Sequence, residues 1–128
     1  MSLNFNLEII SPDKKIFVGE TSEIIIPGFE GYMTVLKEHI PFITFLRPGI
    51  IDGKNLPDQI FVEEGTVEFS KNKLLILSST AIFLKELQKD KRDSLRQEAE
   101  KLLSGNNISD KQRYILSYKV DTLKQINW

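Results

Sequence analysis

The chain contains few residue types capable of bond chemistry. It has 128 residues, no cysteine and a single histidine, His39. The missing cysteines exclude disulfide frameworks, thiolate zinc sites and cysteine nucleophiles, and they match a reducing compartment. One imidazole cannot form a two-histidine metal site, and no Gly-x-Ser-x-Gly context accompanies it, so His39 is expected to serve structure or an interface near Pro41. Gly28-Phe29-Glu30-Gly31 superficially resembles a phosphate loop. It lacks the Lys-Ser/Thr pair that would meet phosphate and metal, and no helical pattern follows, so a turn is expected. Glu63 and Glu64 are adjacent, and strand geometry sends neighbouring side chains to opposite faces, which separates them as an acid/base pair. No catalytic residue, metal site or cofactor is therefore assigned.

Charge and hydropathy fit a globular chain without a nucleic-acid field. Charged residues make up 27% and net charge is −1. The charge is divided unevenly. Residues 1–84 hold 7 Lys+Arg against 11 Asp+Glu, a net −4, while residues 85–128 hold 10 against 7, a net +3. A basic tail beside an acidic body suits docking on an acidic protein surface, its own body included, although solvated helix faces explain the same numbers. The N-terminus starts strand-like alternation without a basic, apolar leader, and Ser78-Ser79-Thr80 interrupts the longest apolar stretch, so neither export nor a membrane span is expected.

The elements that would position these residues separate into two kinds. Phe5, Leu7 and Ile9 alternate with polar neighbours, the period of a half-buried strand, and Ser11-Pro12-Asp13-Lys14 reads as the turn after it. Short runs then recur at residues 16–18, 23–26, 32–36, 43–46, 49–51, 60–63, 66–69 and 74–77, each closed by Gly, Pro or Asn punctuation. That pattern predicts an antiparallel sandwich or barrel over residues 1–84. From there the period becomes helical. Leu84, Leu87, Leu95, Ala99 and Leu102 share one stripe, with Gln88 and Lys91 inside it. Gly105 is expected to cap this helix, and Ser109-x-x-Gln112 reads as a capping box opening a second, apolar at Ile115, Leu116, Val120, Leu123 and Ile126. Residues 85–128 therefore read as a helical hairpin domain. The same cap explains Ser109 better than the sequon Asn107-Ile108-Ser109 does. Tyr114 and Tyr118 fall off the hairpin's apolar face and either contact a partner or are simply exposed, and Trp128 either frays or anchors.

The stretch from Gly19 to Phe42, with Pro27-Gly28-Phe29-Glu30-Gly31, Val35-Leu36 and His39-Ile40-Pro41, followed by Leu46-Arg47-Pro48-Gly49, resembles the epsilon subunit of rotary F-type ATP synthases. Val62 to Phe69 and Leu74 to Leu77 extend the resemblance. Thr34 stands where that family has glycine, and Ile40 where it has alanine. The resemblance implies a ten-stranded sandwich with a two-helix tail, and a non-catalytic place on the central stalk at the cytoplasmic face of a bacterial inner membrane. Its partners there would be gamma, the membrane rotor ring of c subunits and, through the tail, beta subunits of the catalytic head. It implies a ring interface at Gly28, Phe29, Glu30, Gly31, Tyr32, Met33 and His39, with Phe29, Tyr32 and Met33 as anchors on an exposed loop. It also implies a tail that inhibits ATP hydrolysis, with Arg113, Lys119 and Lys124 as its contacts to the head. The motif by which some members bind ATP falls on residues 87–92, Leu-Gln-Lys-Asp-Lys-Arg, which lack its aspartate and arginine at their places. Two alternatives remain open, a stand-alone sandwich that binds a ligand and an ATP-responsive switch.

Overall fold

The computed structural model describes residues 3–126, so the expectation for Trp128 lies outside the described residues. Ten strands come first: β1 (Phe5–Ile10), β2 (Lys15–Thr21), β3 (Glu23–Gly28), β4 (Gly31–Leu36), β5 (Phe42–Leu46), β6 (Gly49–Gly53), β7 (Ile60–Val62), β8 (Gly65–Ser70), β9 (Lys73–Leu77) and β10 (Ile82–Phe83). A 3₁₀ turn at Leu84–Glu86 leads to helices α1 (Lys89–Leu103) and α2 (Asp110–Gln125). Hydrogen bonds join the strands in the order β10-β7-β6-β3-β5-β8-β9-β1-β2, with β4 on β3, and the sheet folds over into a sandwich.

Alternation builds the core as expected. Leu7, Ile9, Ile24, Ile26, Val35, Ile51, Ile60, Val62, Leu74 and Ile76 are all fully buried, and Phe5 meets Phe69 edge-on at 5.6 Å. Ser11 and Lys14 close the β1–β2 turn through a 2.9 Å backbone bond. Lys71 and Asn72, at φ 52° and 55°, form the two-residue turn whose twist suits the β8–β9 hairpin.

The structure departs from the sequence reading in two places. The sheet is not purely antiparallel, because β1 runs parallel to β9. The chain leaves β1 by a tight hairpin and returns some 60 residues later to cover its other edge, a pairing that no local turn signal encodes. The first helix also starts later than its apolar stripe suggests. Leu84 and Leu87 lie before α1 and bury themselves with Phe61, Leu123 and Ile126 in a second apolar cluster. Gln88 is the N-cap, and Leu102, at the end of the expected stripe, is 54% exposed. Tertiary burial overrides the period here.

The second helix begins where expected. Ser109 accepts from the Gln112 amide, and the Gln112 side chain accepts from the Ser109 amide at 2.9 Å. At the end of α1 the cap is Ser104, with Gly105 one residue beyond, its amide bonded to the Leu102 carbonyl. The two helices pack on each other, and α2 also lies against the sandwich.

Candidate interaction surface

The expected ring-facing loop is a hairpin tip. Gly28 pairs with Gly31 across β3 and β4, so Phe29 and Glu30 alone form the turn, while Tyr32 and Met33 belong to β4. Gly31 has φ 143°, a conformation that side-chain-bearing residues rarely adopt, and this is why glycine closes so tight a turn. The Phe29 amide donates to the Phe45 carbonyl at 2.8 Å, and the Arg47 amide donates to the Pro27 carbonyl at 3.0 Å, which fixes the tip to β5.

The tip residues meet different surroundings. Glu30 is exposed at the apex, and Tyr32 is 51% exposed. Met33, in contrast, packs against the main core. Phe29 is half-buried against this chain's own α2: its ring lies 5.1 Å from that of Tyr114, and its carbonyl accepts the Tyr114 hydroxyl. The three large apolar groups do not form one exposed patch, because the hairpin's own pleat sends Met33 inward and the helix covers Phe29. His39 lies at the opposite end of β4, roughly 17 Å along the strand from the tip at 3.3 Å per residue. There its ring sits edge-on to Phe42 at 5.1 Å and near Phe69 at 6.1 Å, and Nδ1 donates to the Ile40 carbonyl.

Tyr114 and Tyr118 are partly covered by this chain itself. They touch each other at 4.9 Å, and Tyr118 lies under the guanidinium of Arg47 at 3.7 Å. Lys119 pairs with Glu63 at 2.7 Å, so the basic tail docks on its own acidic body. Arg113 donates to the Leu103 carbonyl at the helix junction, and Lys124 is exposed.

The sequence motif assigns no role to Arg47, whereas the fold does. It is buried at 5% exposure, it donates to the Pro48 carbonyl at 3.0 Å, and its Nε has no acceptor among the described residues. Two aromatic rings meet its charge, Tyr118 at 3.7 Å and Tyr32 at 5.0 Å. The signal in the sequence was an arginine set between apolar neighbours, Leu46 and Pro48. Its partners are 15 and 71 positions away, beyond any local pattern.

The outer face of the sheet carries a second surface. Phe45, Thr66, Leu77 and Ile10 stand in register across β5, β8, β9 and β1, and one step along stand Ile43, Glu68, Leu75, Glu8 and Val18. Ile43 is 73% exposed and Phe45 62%, with Val18 and Leu77 about half exposed. Between this face and the start of α2 runs an open groove of about 1000 Å³. Among the described residues no helix is long and apolar enough to cross a membrane, and no cluster of His, Cys, Asp and Glu suits a metal ion.

A ten-stranded sandwich that exposes apolar side chains on its outer face, with a two-helix hairpin docked on it, defines the structural class of this protein. The sequence profile of the ATP synthase delta/epsilon chain β-sandwich domain matches residues 4–84. The ATP synthase epsilon chain of Pelagibacter ubique is 40% identical, with 99% of this chain and 100% of that protein aligned. That of Parvibaculum lavamentivorans is 33% identical over 98% and 97%. The chain belongs to the ATP synthase epsilon chain family. Its fold is also similar to that of a chain in the Euglena gracilis mitochondrial ATP synthase OSCP/F1/c-ring structure, at TM-score 0.73 and 20% identity over 97% of this chain and 79% of the other. A chain of the Tetrahymena thermophila mitochondrial ATP synthase central stalk/c-ring structure gives 0.65 and 15% identity over 94% and 93%.

Proposed function

We propose that this chain is a non-catalytic rotor subunit of a proton-translocating ATP synthase, bound to gamma and seated on the ring of c subunits, and that it transmits torque without making bonds. In this reading residues 1–84 form the platform held by gamma and the ring, and residues 85–128 form the regulatory tail. Membership of the epsilon chain family and likeness to chains from central-stalk and c-ring assemblies support the setting. The observation that carries the mechanism is the group of exposed apolar side chains on the outer sheet face, with Ile43 73% and Phe45 62% exposed beside Val18 and Leu77. Such a surface is stable in water only at a penalty that a protein partner removes. We assign it to gamma.

The hairpin tip, with Glu30 at its apex and Tyr32 beside it, is the part offered to the polar loops of the ring. The tail would hinder hydrolysis by leaving the sandwich and placing Arg113, Lys119 and Lys124 against the beta subunits of the head. Attachment is peripheral and made through protein partners, at the cytoplasmic face of a bacterial inner membrane.

Affinity purification of the tagged full-length chain from its own cells tests this reading. Gamma and the catalytic head are expected to be recovered, and the double variant Ile43→Lys, Phe45→Lys is expected to lose gamma while remaining folded. Recovery of neither gamma nor the head with the unaltered chain would remove the stalk assignment.

A further inference from the structure

Arg47 is buried to 5% exposure, and among the described residues its Nε has no acceptor and no carboxylate pairs with it. A desolvated cation is unfavourable unless something replaces its water. Here the replacement comes from two elements far apart in the sequence: Tyr32 on β4, beside the hairpin tip, and Tyr118 on α2. The contacts continue from there. Tyr118 meets Tyr114, Tyr114 meets the Phe29 ring and donates its hydroxyl to the Phe29 carbonyl, and the Ile50 amide donates to the Tyr32 hydroxyl at 3.1 Å. Phe29 in the turn thereby touches α2 directly and Tyr32 on β4 is linked to it through Arg47, while Glu30 at the apex is left exposed. The other end of α2 is fixed separately, by Leu123 and Ile126 against Phe61, Leu84 and Leu87.

We propose that docked α2 is a brace for the β3–β4 hairpin tip, with Arg47 between Tyr32 and Tyr118 as its clasp, so that release of the tail loosens the tip. Resting on the reading of the tip as ring-facing, this gives the tail a second output: a docked tail presents a pre-ordered tip, which binds with less loss of conformational entropy, and a released tail weakens the same contact. Tail position and ring engagement are then linked reciprocally.

Hydrogen exchange on the full chain tests the brace without any partner. The tip reporters are the amides of Phe29 and Arg47, which bond to Phe45 and Pro27, and the sandwich controls are those of Leu7 and Ile76. Tyr118→Leu keeps apolar bulk and removes the aromatic face, and Tyr118→Phe keeps the face. Leu123→Ser loosens α2 five residues beyond Tyr118, about 8 Å along the helix, in the separate cluster with Phe61, Leu84 and Leu87. In Tyr118→Leu and in Leu123→Ser, exchange in α2 and at the tip reporters is expected to rise together, by roughly tenfold for the clasp variant, with Leu7 and Ile76 unchanged. Tyr118→Phe is expected to behave as the unaltered chain. Unchanged exchange in α2 of Tyr118→Leu overturns the clasp, and unchanged tip reporters in any variant whose α2 has quickened overturn the brace. Because no ring is present in these measurements, failure of the ring assignment shows elsewhere, in the proton coupling of a tip variant.

Discussion

At the residue scale, the contacts that hold the tail are few and individually modest. Lys119 and Glu63 lie 2.7 Å apart with side chains 15% and 27% exposed, a geometry better than that of a loose surface pair. A double-mutant cycle with Lys119→Ala and Glu63→Ala is expected to give a coupling of about 0.5–1 kcal/mol in thermal or denaturant unfolding. Zero coupling would mean that docking does not use the pair. While it is formed, Lys119 is unavailable to any other acidic surface, so a head contact through Lys119 requires undocking. At the tip, Phe29 is an unsuitable reporter of ring contact, since removing it also removes the face that Tyr114 covers. Glu30 is exposed at the apex, and reversing its charge spares those internal contacts. Glu30→Arg is expected to keep the melting temperature and to reduce ATP-driven proton pumping in the assembled enzyme. Full pumping by that variant would count against the tip as the ring contact.

At the element scale, α2 depends on its start as much as on its apolar face. Ser109 and Gln112 satisfy each other's amides, and the helix they open carries Tyr114, Tyr118 and Lys119 to their partners. Ser109→Ala is expected to destabilise the helix by about 1 kcal/mol, seen as faster hydrogen exchange in its first turns, while Ser109→Asp, which can accept the same bond, is expected to retain most of the protection. Equal exchange in all three proteins would show that packing alone sets the register of α2. The turn at Phe29–Glu30 rests on a different device, the close approach of strands. A Cβ at Gly49, at the start of β6, would overlap the Pro27 ring and come within 2.8 Å of the Tyr32 hydroxyl, so glycine there lets the loop carrying Arg47 pass against the hairpin.

For the whole molecule, two apolar clusters divide the stabilisation unequally. The main core of β residues includes no residue of the helices. The second cluster joins Phe61 and Leu84 to Leu87, Leu123 and Ile126 and draws in Ile50, Ile82 and Leu95. Removing residues 85–128 is therefore expected to leave a cooperative fold yet uncover Phe61, now 1% exposed. Exposing that side chain costs about 2 kcal/mol, and a melting temperature lower by about 10 °C is expected from calorimetry. A truncated chain that no longer melts cooperatively would show that the helices belong to one folding unit with the sandwich. If the tail restrains hydrolysis, the same truncation raises the ATPase rate of the assembled complex.

Strand and helix type, the turns at residues 11–14 and 28–31 and the capping box at Ser109 were determined by the sequence alone, because each depends on the period or chemistry of residues within a few positions of one another. The family, too, was legible in the run from Gly19 to Gly49. What only the tertiary structure decided is who faces whom. The parallel pairing of β1 with β9, the late start of α1, the covering of Phe29 by Tyr114 and the burial of Arg47 between Tyr32 and Tyr118 all join segments tens of residues apart. Side-chain periodicity states that a face is apolar or polar, but the partner of that face is chosen by the packing of the entire chain. Tyr114 and Tyr118 therefore fall off the apolar stripe in the sequence yet pack against Phe29 and Arg47 in the fold.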